Sequence, residues 1–178
     1  SISSAASDVY KRQEGEDKFS PEVWQGLAEM GLLGIAVPEQ YGGTGAGYLE
    51  ACLVAQQIGA HIAAIPFGST VYLLTEALLM FGSEAQKAQW LPRIAAGEVK
   101  GALAMVESLQ KLREEDVSAT VTGEQLTGTK PIVSDGSIAD LYLVVAKGEG
   151  GVGLYLVAAG EQVHATSVDS VDLTRDTA

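Results

Sequence analysis

The chain has 178 residues, of which 47% are apolar and 19% are charged, and its formal net charge is −12. This composition is typical of a folded globular protein and argues against an intrinsically disordered one. Nucleic acid is excluded as a partner because phosphate binding requires an excess of Lys and Arg. The apolar runs are too short and interrupted to span a bilayer, and one cysteine is typical of a reducing compartment. We therefore predict a cytoplasmic protein without a membrane partner.

Residues 1–18 are polar, and their weak helical potential predicts either a first helix or a loose arm. A helix is predicted to start at Ser20, because Ser is a favoured N-cap and the following Pro21 suits the first turn. The apolar stripe expected to face the core consists of Val23, Leu27 and Met30. Gly31 is expected to end the helix.

The glycine-rich segment GLLGIAVPEQYGGTGAG, residues 31–47, joins two predicted helices. Leu32 to Val37 are expected to be buried, and Pro38 to Gly47 to form a tight irregular loop, since glycine permits positive φ and close backbone approach. The second helix is predicted over Tyr48 to Ile58. Its apolar face is expected to consist of Leu49, Cys52 and Leu53, which predicts that the lone cysteine packs in the core.

Thr70 to Phe81 is apolar almost all round, which predicts a buried central helix. Ser83 and Gln86 have the spacing of a capping box and predict the start of the next helix. Pro92 is expected to kink or end that helix, because proline removes a backbone donor and clashes with the preceding turn.

Beyond Gly101 the pattern changes from helices to strands. Gly123-Glu124 is the expected turn of a β-hairpin that starts with Val117 to Thr122. Further strands are predicted over Asp140 to Lys147, Val152 to Ala158 and Val163 to Val168. The match to G-x-G-x-x-G at Gly148 to Gly153 lies between two strands and is therefore interpreted as a hairpin turn, not as a dinucleotide site.

Helices followed by strands without alternation predict the α+β class with two segregated units. We predict an N-terminal all-α helical domain over 1–100, followed by an antiparallel barrel-like or sandwich β domain over 101–178 that is incomplete at its C-terminus. His61 and His164 have no Cys or acid at ligand spacing, so no metal site is predicted.

Four segments, in this order along the chain, carry a family resemblance. They are LAEMGLLGIAVPEQYGGTGAG (27–47), FGSEAQKAQWLPRIAAGEVKGALAMVES (81–108), LTGTKPIVSDGSIADLYLVVAK (126–147) and DLTRDTA (172–178). Each resembles the corresponding part of the first two domains of acyl-CoA dehydrogenases. The family's third domain, a helical bundle that carries the general base, has no counterpart here, so we expect either a fragment or a remainder supplied by another chain. No catalytic residue is predicted within this chain.

The resemblance implies an FAD-dependent oxidoreductase that desaturates the Cα–Cβ bond of an acyl-CoA thioester and transfers a hydride to FAD. It further implies electron transfer to an electron-transfer flavoprotein, a homo- or hetero-oligomer, and a place in fatty acid or steroid side-chain degradation. The same resemblance assigns flavin contacts to two segments. The residues are Leu103, Met105 and Val106 in LAMVES, and Ile132, Val133 and Ser134 in GTKPIVSDG.

The same two segments depart from the family pattern. Val106 stands where the family has a Thr hydroxyl, Ser108 replaces a Pro, and no Gly-Ser-Asp follows. Ile132 takes the position of an aromatic residue, whereas Ser134 keeps the hydroxyl. The alternatives are therefore a degenerate, non-catalytic subunit of a heteromeric acyl-CoA dehydrogenase, or a flavin-free interaction module. Glu107 is interpreted as a structural loop residue and not as the catalytic base.

Overall fold

The computed structural model describes residues 19–108, 113–168 and 176–178. The predicted first helix or arm and most of DLTRDTA lie outside these residues. The helices are α1 (Pro21–Glu29), α2 (Tyr48–Ala60), α3 (Thr75–Phe81), which continues a π-helical segment (Gly68–Leu74), and α4 (Glu84–Ala95). The strands are β1 (Gly101–Ala104), β2 (Thr120–Thr122), β3 (Gln125–Thr127), β4 (Leu141–Gly148) and β5 (Gly151–Ala158). Within the described residues, no helix is long and apolar enough to cross a membrane.

Helix α1 begins at the predicted cap, since the Ser20 hydroxyl accepts the Val23 N–H at 3.4 Å. Gly31 follows the helix with φ +72°, which confirms it as the C-terminal glycine. The predicted stripe was wrong in part, because Trp24 and Leu27 enter the core whereas Val23 and Met30 are exposed. The Trp24 indole decides this rotation, because its N–H donates to the carbonyl of Gly97 at 2.9 Å.

The glycine-rich segment is the tight loop that its sequence predicts. Leu33, Ile35 and Val37 are buried. The chain then folds back on itself, with the Thr44 N–H donating to Gly34 O at 3.0 Å and the Ala46 N–H donating to Ile35 O at 2.9 Å. This close approach between two stretches of backbone explains the density of glycine.

Helix α2 is confirmed, but its predicted core face was wrong. Leu49, Cys52 and Leu53 are all exposed, and Ala51 is the buried residue of the helix. Ala51 packs with Trp24 and Phe67, and Val54 and Ile58 lie partly buried against the same cluster. Residues 51, 54 and 58 have helical spacing as regular as that of residues 49, 52 and 53. Periodicity therefore could not distinguish the two faces.

The predicted central helix is divided into a π-helical segment and α3, and it is not buried all round. Val71, Leu74 and Leu78 are buried. Met80 and Phe81 are largely exposed, and Leu73 is partly exposed. The capping box of Ser83 and Gln86 is confirmed at the start of α4. Pro92 does not end α4, which continues to Ala95. The buried side chains of Leu91 and Ile94 hold the turn around the proline in place.

The strands form one mixed sheet with β4 at its centre. β5 pairs antiparallel with β4 from Leu141↔Ala158 to Gly148↔Gly151, which confirms the predicted hairpin turn. The other edge of β4 pairs in parallel with β1 and, at Lys147, with β2. The α+β class is confirmed, but the purely antiparallel sheet was wrong, because the long connection between β1 and β4 permits a parallel pairing.

Two further predictions about strands had different outcomes. The β2–β3 hairpin is confirmed, with Thr122 paired to Gln125 around the Gly123-Glu124 turn. Residues 163–168 form no strand, so that prediction was wrong. Val163 instead closes a turn by donating to Gly160 O at 2.9 Å, and its side chain packs against the sheet from outside. Tertiary packing explains its apolar character without a strand.

The sheet has a helix-covered face and an opposite face. Leu141 and Leu143 of β4 pack with Leu74, Leu91 and Ile94 on the helical side. The alternate positions form a second cluster on the other side, which contains Ala102, Ala104, Tyr142, Val144 and Val133. The larger cluster therefore crosses the predicted domain boundary at residue 100. The division into 1–100 and 101–178 stays a prediction.

Candidate functional site

The first predicted segment, residues 103–106, begins within β1 and continues past its end. Leu103 is partly buried against the cluster between the helices and the sheet. Met105 follows the strand and is 40% exposed, and Val106 next to it in the chain is half-buried. Of these three residues, Met105 offers the most accessible apolar surface.

The second predicted segment alternates between solvent and core. Ile132 is 38% exposed and Ser134 is exposed, whereas Val133 is buried in the cluster beneath the sheet. The Val133 N–H donates to Ala178 O at 2.6 Å, and its carbonyl accepts the Ala178 N–H at 3.0 Å. The side chain and both backbone groups of Val133 thus have partners within the protein. Ile132 and Ser134 are the residues of this segment that present accessible side chains.

Lys130 brings the two segments together. Its ammonium donates to the carbonyl of Met105 at 3.3 Å and to the carbonyl of Val145 in β4 at 2.6 Å. It also forms an ion pair with Glu107 Oε1 at 2.5 Å, in which only 8% of the Lys130 side chain and 9% of the Glu107 side chain are exposed. A single buried cation therefore fixes the segment after β1 against the segment that leads to Ile132.

Glu107 also accepts hydrogen bonds from the two residues that directly precede β2. Oε2 accepts from the Ser118 N–H at 2.6 Å and from the Ser118 hydroxyl, and Oε1 accepts from the Ala119 N–H at 3.0 Å. Burial alone would raise the pKa of Glu107, but Lys130, Ser118 and Ala119 outweigh it and lower that pKa to about 2. A carboxylate held in this way is ionised at neutral pH, and its donors occupy both oxygens. Its geometry is that of a structural group.

The depressed pKa of Glu107 predicts a loss of stability in acid. The pKa lies near 2 in the folded protein and at 4.5 ordinarily, so this group stabilises the fold above pH 4.5, and the effect is lost as the pH falls towards 2. At about 1.4 kcal/mol per pKa unit, the full effect is about 3 kcal/mol, of which about 2 kcal/mol is lost between pH 6 and pH 3.

Urea unfolding of the wild type and of Glu107→Gln at both pH values isolates this effect, because the other carboxyl groups titrate in both proteins. We expect the difference in unfolding free energy between the two proteins to narrow by about 2 kcal/mol from pH 6 to pH 3. A difference that does not change with pH would contradict the assigned pKa.

A cavity of about 440 Å³ opens beside the segment after β1. Its lining residues are Met105, Glu107, Arg113, Glu114, Asp116, Val117, Val145, Gly150 and Val152. Arg113 is engaged by Asp116, with Nε donating to Oδ2 at 2.9 Å. The wall thus combines apolar side chains with three carboxylates, those of Glu107, Glu114 and Asp116, and with one guanidinium that is already paired.

The accessible side chains of the two predicted segments suit part of a flavin, although Ile132 and Ser134 do not line the cavity. The exposed apolar side chains of Met105 and Ile132 suit a flat, largely apolar ring, and the exposed Ser134 hydroxyl suits its polar edge. The carboxylates of Glu114 and Asp116 at the cavity do not suit a phosphate group, because like charges repel. The fit therefore concerns the ring-bearing part of the cofactor.

Comparison with known proteins identifies the family. The model of the acyl-CoA dehydrogenase N-terminal domain matches residues 3–98, which is more than half of the chain. The chain belongs to the acyl-CoA dehydrogenase family. This confirms the resemblance that the four sequence segments indicate.

Individual relatives agree with the family assignment. The chain is 36% identical to the acyl-CoA dehydrogenase FadE27 of Mycobacterium tuberculosis over 149 residues, which are 82% of this chain and 39% of the relative. It is 37% identical to the mitochondrial isovaleryl-CoA dehydrogenase of Pongo abelii over 76% of this chain and 33% of the relative. The chain thus spans between a third and two fifths of the length of these relatives.

A solved structure shows the same fold. The ChsE4–ChsE5 complex of Mycobacterium tuberculosis superimposes with a TM-score of 0.80 and 32% identity, covering 99% of this chain and 50% of the matched one. The order of a helical region followed by a mixed sheet is therefore that of the family.

Sequence reasoning missed Lys130, the residue that joins the two segments. One signal for it was present, since the chain has only 11 Lys and Arg residues and Lys130 stands between Thr129 and Pro131, just before the predicted contact residues. A cation at that place indicates a specific partner. The partner, Glu107, lies 23 residues earlier, and no local pattern connects the two.

Proposed function

We propose that this chain provides the helical and sheet regions of an FAD-dependent acyl-CoA dehydrogenase that oxidises the Cα–Cβ bond of an acyl-CoA thioester. The observation that supports this most strongly is the connection between the two family segments, through the bonds of Lys130 to Met105 and Glu107. FAD, when bound, supplies the hydride acceptor for this reaction. The chain's own residues would orient the ring and exclude water from it.

Each accessible residue has a distinct part in this proposal. Ser134 would donate its hydroxyl to the flavin, while Met105 and Ile132 would cover the ring and exclude water. Leu103 and Val106 would support these contacts from behind, and Val133 would anchor the segment in the core. The general base is expected from residues outside this chain. We further propose an electron-transfer flavoprotein as the electron acceptor and the cytoplasm as the location.

Replacing Ser134 by Ala tests the flavin assignment. We expect the dissociation constant for FAD to rise about fivefold, which corresponds to the loss of one hydrogen bond of about 1 kcal/mol. The measurement is a titration of the flavin-depleted complete gene product, followed by visible absorbance. Thr122→Ala is the matched control, since it removes an exposed hydroxyl from the β2–β3 hairpin. Unchanged FAD affinity in Ser134→Ala would exclude Ser134 as a flavin contact.

A second candidate function is a subunit of a heteromeric acyl-CoA dehydrogenase in which this chain contributes an incomplete site. Val106 lacks the family's hydroxyl, and Ile132 lacks its aromatic ring. The 32% identity to the ChsE4–ChsE5 complex, a structure of two differently named proteins, also favours this candidate. A shared site would explain why flavin contacts are reduced while the scaffold is retained.

The visible absorbance spectrum of the purified complete gene product, alone and co-expressed with its gene neighbours, separates these functions. A flavin band from the protein alone supports the self-sufficient dehydrogenase. A flavin band that appears only with a partner supports the heteromer. A colourless protein in both preparations contradicts both and favours a flavin-free interaction module.

A further inference from the structure

A buried serine in the π-helical segment connects the helical region to residues 132–136, which contain the proposed flavin contacts Ile132 and Ser134. Ser69 is 4% exposed, and its hydroxyl lies 2.5 Å from Asp135 Oδ2 and 3.2 Å from the carbonyl of Pro66. A hydroxyl has one hydrogen to donate, and the shorter contact goes to the carboxylate. The bond joins residues 66 positions apart in the sequence.

Asp135 has an unfavourable backbone conformation that neighbouring contacts stabilise. It follows Ser134 directly and has φ +58°, a left-handed conformation that non-glycine residues seldom adopt. Its N–H donates to Asp176 O at 2.9 Å, and the neighbouring Gly136 carbonyl accepts the Tyr142 hydroxyl at 2.6 Å. Such conformations persist where the surrounding structure fixes them. The bond from Ser69 adds a contact from the helical side.

The same π-helical segment also holds β1. The Thr70 hydroxyl accepts the Gly101 N–H at 2.9 Å, and a Cβ at Gly101 would lie 2.1 Å from Leu74 Cδ2. π-helical turns are rare and occur frequently at functional sites. Here the extra residue in the turn places two neighbouring hydroxyls against different parts of the sheet region. Ser69 contacts the segment after Ile132, and Thr70 contacts the strand that leads to Met105.

We propose that Ser69 is a positioning residue that holds residues 132–136 in the conformation in which Ile132 and Ser134 face outward. Ser69 acts through Asp135 and touches neither flavin nor substrate. The consequence for flavin binding rests on the proposed function, whereas the fixing of the segment does not. Movement of the π-helical segment would therefore be transmitted to residues 132–136 through the hydrogen bond between Ser69 and Asp135.

Hydrogen–deuterium exchange of the complete gene product tests the positioning role directly. In Ser69→Ala we expect amide exchange over residues 132–137 to rise about fivefold, because a local contact is removed and the segment opens more often. Thr75→Val is the matched control. It removes another buried hydroxyl of the same helical region, one that donates to Thr70 O at 2.8 Å and has no bond to Asp135. We expect exchange over 132–137 to stay within about twofold of the wild type in this control.

A double-mutant cycle shows whether Ser69 acts through Asp135. Asp135→Gly keeps the left-handed conformation available while it removes the carboxylate. If the two side chains act as one unit, adding Ser69→Ala to Asp135→Gly will not raise exchange further. Additive effects would overturn the proposal, as would a Ser69→Ala protein in which exchange over 132–137 is unchanged.

FAD affinity provides the second readout and separates this inference from the proposed function. With a flavin-binding wild type, we expect Ser69→Ala to weaken FAD binding severalfold while Thr75→Val retains normal affinity. A wild type that binds no FAD, alone or with a partner, contradicts the proposed function. The exchange comparison still decides whether Ser69 positions the segment.

Discussion

Gly43→Ala is expected to lower the unfolding free energy by at least about 3 kcal/mol. A Cβ at Gly43 would lie 2.0 Å from the carbonyl oxygen of Val37 and 2.4 Å from its Cβ. Both atoms belong to a buried residue, so neither can move without displacing the core. The substitution must therefore open the glycine-rich loop that joins α1 to α2.

Thermal unfolding of the complete gene product measures this effect as a fall in Tm. Gly26→Ala is the matched control, because no atom lies within 4 Å of a Cβ at that position in α1. There the change should raise stability by about 0.5 to 1 kcal/mol, since glycine is unfavourable inside a helix. Equal Tm values for the two variants would contradict the close backbone approach in the loop.

Lys130→Met is expected to destabilise the protein by about 3 to 5 kcal/mol, because it leaves the buried Glu107 carboxylate without its counter-charge. The carbonyls of Met105 and Val145 lose a donor in the same change. Methionine nearly preserves the length and apolar stem of lysine, so the effect reports the ammonium and not a cavity. Equilibrium unfolding in urea at neutral pH measures it.

Lys87→Met provides the same substitution at an ion pair whose carboxylate is exposed, although the Lys87 side chain itself is only 18% exposed. The Glu84 side chain of that pair is 78% exposed, and such pairs contribute about 0 to 1 kcal/mol. Adding Glu107→Gln to Lys130→Met should restore part of the loss, since it removes the uncompensated charge. Similar decreases in unfolding free energy for the two lysine variants would show that burial does not strengthen the Lys130–Glu107 pair.

These two predictions concern the parts of the molecule that position the proposed flavin site. The glycine-rich loop places Val37 in the cluster that supports β4, and Lys130 ties the segment after β1 to β4. Loss of Lys130 should therefore release flavin before the protein unfolds. Gly43→Ala should lower the unfolding free energy and weaken FAD binding together.

Local sequence signals predicted the boundaries of helices and turns well. The Ser20 cap, the capping box of Ser83, the terminal Gly31 and the hairpin turn at Gly123 were all predicted and observed. Each depends on backbone groups within a few residues of one another. A sequence can therefore determine them without knowledge of the rest of the fold.

Choice of the buried face was less predictable. α2 buries Ala51 and exposes Leu49 and Leu53, although leucine is the more apolar residue. The face that packs is the one that allows close approach to Trp24 and Phe67. This depends on which elements are neighbours, and periodicity carries no such information.

The sequence by itself determined the α+β order, the caps of α1 and α4, the hairpin turns and, through four motif segments, the family. Only the tertiary structure decided that β1 lies parallel to β4, that Lys130 pairs with Glu107, and that Ser69 reaches Asp135. The physical reason is separation along the chain. These contacts join residues between 23 and 66 positions apart, and they form because packing of the helices on the sheet brings distant polar groups into a buried region where each requires a partner.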